Sequence, residues 1–137
     1  MSRENAVDAD ALATAVVEAL NARDADALAA LVHPDIEFHS RLVALEGRVY
    51  RGRNGLADYL RDMEAAFTNA RYEVDEIVGW RAEDLVVVIR TTAQGHESGI
   101  PIDVLAPQVW SFRDGKPWRN VTYSSRDDAL AAAGSSE

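Results

Sequence analysis

Hydrophobic positions recur at helical spacing in the first half of the chain, which predicts three helices there. Asp10 and Asp24 stand at the starts of the first two, where a carboxylate caps free backbone N–H groups. Pro34 ends the second helix, because the residue before a proline favours extended backbone. The third helix has the clearest period, and Asn54 is its expected cap. Its apolar face consists of Leu56, Tyr59, Leu60, Met63 and Phe67.

A period of two predicts the strands. In DIEFHSR (35–41), Ile36 and Phe38 share one face, and Glu37 and His39 share the other. Pro107 is expected to mark a bulge or an edge, since proline cannot donate to a strand ladder. A last helix is expected between Ser125 and about Gly134, and an Asp-Gly hairpin joins the final two strands. Four strands follow the third helix, at about 71–81, 85–94, 101–112 and 118–124.

The order of these elements predicts an α+β domain. Helices segregated onto one face of a mostly antiparallel sheet define that class. A curved sheet wrapped around the N-terminal helices would leave a concave interior, which is a natural place for a small molecule. We expect one domain over residues 10–134, a flexible N-terminus at 1–9 and a short tail at 135–137.

Composition narrows the partners of this domain. The chain has 137 residues, no cysteine and a formal net charge of −9, so thiol chemistry is excluded and phosphate backbones are repelled. We therefore expect neither nucleic acid nor a membrane as a partner. The polar, acidic start carries no signal-peptide pattern, which favours a cytoplasmic protein. No spacing of His, Asp and Glu matches a metal motif, and no cofactor is expected.

Several segments together resemble the SnoaL-like branch of the nuclear transport factor 2-like superfamily. They are YRGRNGLADYL (50–60), GHESGIPIDV (95–104), QVWSFRDGKPWR (108–119) and the closing Tyr123 to Gly134. The resemblance covers about residues 10–134. It implies a cone-shaped α+β barrel with an internal cavity and homodimerisation through the sheet. The superfamily includes polyketide cyclases, ketosteroid isomerases, epoxide hydrolases, dehydratases and non-catalytic binding modules, so the fold does not name the reaction.

The resemblance also assigns positions to this chain. His39 falls where ketosteroid isomerases carry their proton-abstracting carboxylate, and Gln108 falls near their buried acidic donor. Val16 replaces a tyrosine that helps to hold the oxyanion in those enzymes. Arg90 matches the arginine of the epoxide hydrolases, whose carboxylates are replaced here by Thr92 and Thr122. The acid/base position of the SnoaL-like cyclases corresponds to Asn120 or Thr122.

These positions lead to one set of candidate site residues. The catalytic candidates are His39 as the base, with Arg90 and Gln108 as groups that stabilise an enolate. The structural alternatives are a solvated strand histidine, a surface ion pair for Arg90 and a buried hydrogen-bonding role for Gln108. The candidate ligand-binding residues are Tyr50, Tyr59, Phe67, Trp80, Thr92, Trp110, Asn120 and Thr122.

Three possibilities stay open on the sequence. The first is a cyclase, isomerase or dehydratase that abstracts a proton from a hydrophobic, polyketide- or steroid-like carbonyl compound, which would make the protein an isomerase or a lyase. The second is a non-catalytic ligand-binding or dimerisation module of the same fold that lacks the acids of the family. A third possibility is a structural dimer in which Trp80, Trp110 and Phe67 fill the cavity.

Overall fold

The computed structural model describes residues 7–40 and 48–134. Within them lie four helices and six strands. In chain order they are α1 (Ala9–Ala22), α2 (Ala25–Leu31), β1 (Glu37–Ser40), β2 (Arg48–Arg51), α3 (Gly52–Ala66), β3 (Phe67–Arg81), β4 (Asp84–Gly95), β5 (Pro101–Arg113), β6 (Lys116–Thr122) and α4 (Arg126–Ala132). The tail at 135–137, most of the segment at 1–9, and Arg41 of the predicted first strand lie outside the described residues.

The six described strands form one mixed sheet in the order β2-β1-β6-β5-β4-β3. Strands β3 to β6 pair antiparallel with their neighbours, and β1 pairs antiparallel with β2. Strand β1 joins β6 in parallel, with Phe38 opposite Asn120. The sheet is open, because β2 and β3 are its edges. The predicted α+β class is confirmed, and the sheet does not close into a barrel.

The alternating side chains of β4 enter two separate cores. Leu85, Val87 and Ile89 pack with α1 and α3 on the inner face of the sheet. Val86 packs on the outer face against Ala129 of α4. Because both faces of this half of β4 are covered, its apolar residues run continuously instead of alternating with polar ones. Toward the C-terminal end of β4, the outer face of the sheet carries charged residues, among them Arg90 and its partner Asp103.

Local signals define most of the element ends. Asp24 caps α2 as predicted, and its side chain accepts from the Ala27 N–H at 3.0 Å. Ser125 caps α4 in the same way, accepting from Asp128 N at 3.0 Å. The predicted Asp10 cap is wrong, because Asp8 accepts from Ala11 N and starts α1 two residues earlier.

The start of α3 differs from the prediction because a strand precedes it directly. Strand β2 was not predicted, and α3 begins at Gly52, so Asn54 lies inside the first turn and does not cap the helix. Gly55 lies where α3 passes over β2. A Cβ there would approach the carbonyl carbon of Tyr50 to 2.7 Å, which explains a glycine at this position of the YRGRNG segment.

Pro107 lies at the end of a ladder and not at a bulge. The β4–β5 register runs through the Val88–Pro107 pair without a shift. The β5–β6 ladder ends at the Gln108–Thr122 pair, so Pro107 has no strand-pair partner on that side among the described residues. None of the helices in the described part of the chain has the length and apolar character needed to cross a bilayer.

Candidate functional site

A cavity of about 90 Å³ lies between the first three helices and the inner face of the sheet. An engineered cavity of about 150 Å³ is large enough for benzene. In this conformation the cavity is therefore smaller than one that holds benzene, so it takes at most one small ring and is much too small for a steroid. Its described lining is Val16, Val17, Leu20, Leu28, Val32, Ile36, Phe38, Leu56, Tyr59, Tyr72, Ile89, Thr91, Val104, Ala106, Gln108, Trp110, Asn120 and Thr122.

The polar part of this wall is built by β5 and β6, which face each other across the ladder. Trp110 and Asn120 are strand partners, and Gln108 lies two residues before Trp110 on the same face. Trp110 Nε1–H donates to Gln108 Oε1 at 2.8 Å, and Asn120 Nδ2 donates to the same oxygen at 3.2 Å. Gln108 Oε1 thus accepts two hydrogen bonds.

The indole fixes the orientation of both amides. An indole N–H can only donate, so the atom of Gln108 beside it is the oxygen. The atom of Asn120 that approaches this oxygen must then be its NH₂ group. Within the described residues, Gln108 Nε2 donates no hydrogen bond, and the buried Asn120 Oδ1 accepts none. A buried polar atom without a partner costs about 1–3 kcal/mol.

Two tyrosines of the wall form a pair of hydrogen-bonded hydroxyls. The hydroxyls of Tyr59 on α3 and Tyr72 on β3 lie 3.1 Å apart, and either oxygen can donate. One hydroxyl hydrogen of the pair is therefore left over. Burial, followed by the neighbouring Tyr72 hydroxyl, raises the pKa of Tyr59 well above 10, and burial raises the pKa of Tyr72. Both side chains are neutral hydrogen-bonding groups near neutral pH.

The structure brings five of the sequence-predicted residues to the cavity and takes six elsewhere. The five that line it are Tyr59, Gln108, Trp110, Asn120 and Thr122. Val16, which stands in the position of a family tyrosine, also lines it.

His39 and Arg90 lie on the other face of the sheet. His39 Nε2 is 3.2 Å from Glu37 Oε1, its neighbour on the same side of β1. The Arg90 guanidinium binds Asp103, with Nε donating to Oδ1 at 2.8 Å. Thr92 shares the face of Arg90. The expectation that these three residues line the cavity is wrong, because the facing residues of β1 and β4 are Phe38, Ile89 and Thr91.

Three predicted aromatic residues belong to the core beside the cavity and not to its described lining. Tyr50 is buried, and its hydroxyl donates to Asp62 Oδ2 at 2.7 Å. Phe67 is the first residue of β3, so it does not belong to the apolar face of α3 to which its spacing assigned it. Trp80 packs against Phe112, with ring centroids 5.2 Å apart. The lining thus contains one of the three predicted cavity-filling rings, that of Trp110.

Sequence reasoning missed Phe38, Tyr72 and Thr91, which all line the cavity. A signal for two of them was present. Phe38 is apolar and alternates with Glu37 and His39, so burial alone places Phe38 inward. Thr91 follows Leu85, Val87 and Ile89 at a period of two and shares their face. For Tyr72, the strand pattern was recognised but no face was assigned. Among the described residues, no group of three potential ligands is placed to hold a metal ion.

The comparisons with known proteins agree with this fold. The model of the SnoaL-like domain family matches residues 13–120, and the chain belongs to that family. No curated protein matches the chain in sequence. The resemblance found in the sequence is therefore confirmed.

Solved structures with the same fold are distant in sequence. An NTF2-like protein of unknown function from Burkholderia pseudomallei has a TM-score of 0.72 at 17% identity, covering 98% of this chain and 100% of its own. A protein with a ketosteroid isomerase-like fold from Catenulispora acidiphila, in complex with trimethylamine, has a TM-score of 0.70 at 18% identity, covering 90% and 92%. A candidate polyketide cyclase from Xanthomonas campestris has a TM-score of 0.63 at 21% identity, covering 95% and 98%. At these identities the likeness shows the fold alone.

Proposed function

We propose that this protein binds a small, uncharged and mainly apolar molecule in the cavity. The observation that carries the proposal is the chemistry of the wall. Its described residues are apolar side chains, two threonines, two amides and the tyrosine pair, and they include no Asp, Glu, His, Lys or Arg. Because a buried charge is costly without a partner, such a wall favours a neutral ligand.

A carbonyl group suits the open donors of this wall. Gln108 Nε2 and one hydroxyl hydrogen of the Tyr59–Tyr72 pair have no acceptor among the described residues. A carbonyl oxygen entering the cavity would supply that acceptor. We therefore favour the ligand-binding alternative, with a small hydrophobic carbonyl compound as the ligand. Homodimerisation and a cytoplasmic location stay predictions.

The second candidate is a cyclase, isomerase or dehydratase reaction in the same cavity. Two proteins with the same fold support it, because both are candidate polyketide cyclases. One is from Xanthomonas campestris and the other is from Sinorhizobium meliloti. In such a reaction Gln108 would polarise the carbonyl from its free Nε2. The position of His39 on the outer face, beside Glu37, argues against that imidazole as the base of this candidate.

The test is a titration with four probes that share one six-membered ring: cyclohexane, cyclohexanone, cyclohexylammonium and cyclohexanecarboxylate. Calorimetry and the thermal midpoint are followed for the wild type, for Ala106→Phe and for Leu105→Phe. Ala106 lines the cavity, so phenylalanine there fills it, whereas Leu105 is 56% exposed on the opposite face of the same strand. The neutral probes should bind the wild type and Leu105→Phe but not Ala106→Phe.

Two outcomes would contradict the proposal. If either charged probe binds the wild type more tightly than the neutral probes do, the neutral wall does not select the ligand. Equal binding of the neutral probes by all three proteins would place the ligand outside the cavity. His39→Ala is included as a further variant, and we expect it to bind cyclohexanone like the wild type. A loss of cyclohexanone turnover in His39→Ala, if the wild type shows turnover, would restore the proton-abstraction mechanism.

A further inference from the structure

The polar wall contains a donor and an acceptor that have no partner among the described residues, and they belong to side chains joined by a hydrogen bond. The donor is Gln108 Nε2, and the acceptor is the buried Asn120 Oδ1. A plain ketone would satisfy the donor and leave the acceptor empty. A hydrocarbon would leave both empty.

We propose that Gln108 and Asn120 select a neutral ligand that carries a carbonyl and a hydrogen-bond donor on neighbouring atoms. This inference rests on the proposed ligand-binding function and names the class of ligand. The ligand carbonyl accepts from Gln108 Nε2, and its N–H or O–H donates to Asn120 Oδ1. Two sources share this chemistry: a small cyclic lactam or amide, and an α-hydroxy ketone.

The network holds both amides in the orientation that this selection needs. Trp110 is buried, and its indole N–H binds Gln108 Oε1, so the glutamine cannot exchange its oxygen and nitrogen without placing two donors together. Asn120 is held in turn by the same oxygen. The donor and the acceptor are therefore set before a ligand arrives, and no rotamer search is needed on binding.

The surroundings exclude the charged relatives of such a ligand. A carboxylate also presents oxygens, but it has no hydrogen for Asn120 Oδ1 and finds no cation in the described lining. An ammonium group can donate to Asn120 Oδ1 but offers no acceptor to Gln108 Nε2. The cavity volume of about 90 Å³ limits the ligand to about one small ring.

The experiment compares binding ratios in matched variants. δ-Valerolactam, α-hydroxycyclohexanone and cyclohexanone are titrated into the wild type, Asn120→Leu and Tyr123→Phe by calorimetry. Leucine at 120 removes the acceptor but leaves the bond between Trp110 and Gln108. Tyr123→Phe removes a hydroxyl on the outer face of the sheet, near α4, and leaves the cavity wall unchanged.

We expect the preference for the lactam or the hydroxy ketone over cyclohexanone to fall at least about fivefold in Asn120→Leu, because the ligand donor loses its acceptor. Tyr123→Phe should keep the wild-type preference. The probe that loses more of its preference identifies which of the two sources fits the site. Side-chain amide NMR signals of Gln108 and Asn120 in the wild type should shift with that probe and not with cyclohexane.

The failures are distinguishable. If neither cyclohexane nor cyclohexanone binds the wild type, the proposed function fails and this inference fails with it. If cyclohexanone binds and Asn120→Leu leaves the preference unchanged, the inference alone is overturned. Should Asn120→Leu not fold, the NMR shifts of the wild type decide, and unchanged amide signals on saturation with both bifunctional probes overturn it.

Discussion

The two faces of the sheet differ in the charge and the hydrogen bonding of their polar groups. On the outer face, charges are paired where water reaches them: Arg90 with Asp103, and Arg126 with Glu76. The guanidinium of Arg90 lowers the pKa of Asp103, and that of Arg126 lowers the pKa of Glu76. On the inner face, the described polar groups of the cavity wall are neutral, and Asn120 Oδ1 accepts no hydrogen bond from the described residues.

The polar groups of the outer face interact mainly with water, whereas those of the inner face are available to a ligand. Exposed ion pairs add little stability because water screens them, but they keep the outer face hydrated. An unmade hydrogen bond in the cavity carries a cost that a matching ligand removes. The inner face is therefore where binding energy is available, and its chemistry is that of amides and hydroxyls.

Truncation on the two faces should give the largest contrast. Trp110→Ala removes a buried indole from the cavity wall and leaves Gln108 Oε1 with one hydrogen bond fewer. We expect a loss of about 3–5 kcal/mol in the free energy of unfolding, measured with a chemical denaturant. Leu105→Ala, on the exposed outer face of the same strand, should change it by no more than about 0.5 kcal/mol. Equal losses would contradict the division between the faces.

Alkaline pH should destabilise the protein through the tyrosines of the inner core. Burial, reinforced by Asp62, raises the pKa of Tyr50 from 10.0 to about 12. Between these values the folded state still holds the proton that the unfolded chain has released. The stability from this group is complete below pH 10.0 and is lost as the pH rises toward about 12.

The measurement is the denaturant midpoint between neutral pH and pH 12, with Tyr50→Phe as the matched variant. The variant should lose less stability than the wild type over the alkaline half of this range. A steeper loss in Tyr50→Phe would show that the hydroxyl of Tyr50 is not held protonated by the fold.

A smaller effect is expected for the tyrosine pair. Tyr72→Phe leaves the buried hydroxyl of Tyr59 without its partner, which should cost about 1 kcal/mol in the free energy of unfolding. Tyr123 packs on the outer face near α4, and Tyr123→Phe serves as the control. We expect no measurable loss there. If cyclohexanone occupies the pocket of Tyr72→Phe and restores its thermal midpoint more than that of the wild type, the free Tyr59 hydroxyl faces the ligand.

The smallest effect is expected on the outer face. Removing the exposed pair of Arg90 and Asp103 by a double-mutant cycle should give a coupling that is small in low salt and absent in high salt. Denaturant titration of the wild type, both single variants and the double variant measures it. A coupling that persists in high salt would show that this face is shielded from water, as it would be in a sheet-mediated dimer.

The fold was readable from the sequence because its signals are local. Helical spacing predicted α1 to α3, and the Ser125 cap predicted α4. Strand β2 was missed because four residues, Arg48–Arg51, are too few for a periodic pattern. The open edges of the sheet were also not visible, since they depend on which strand meets which, and in particular on the parallel pairing of β1 with β6.

The candidate site was predictable where one face of a strand was already fixed. On β5 and β6 the chosen residues, such as Gln108 and Asn120, do line the cavity. On β1 and β4 the choice was off by one position, and a shift of one residue moves a side chain to the opposite face. His39 and Arg90 were selected because they fall at the catalytic positions of relatives. The apolar residues beside them carried the burial signal.

The parallel pairing of β1 with β6 also determines at which stage of translation the sheet can be completed. Strands β3, β4 and β5 each pair with the next strand along the chain, so these strands and β6 can assemble as they leave the ribosome. Strand β1 is made early but must wait for β6, more than half the chain later, before Phe38 meets Asn120. Loop-closure entropy delays such distant contacts. Until β6 has been made, the chain therefore lacks the side of the cavity wall where Phe38 lies beside Asn120.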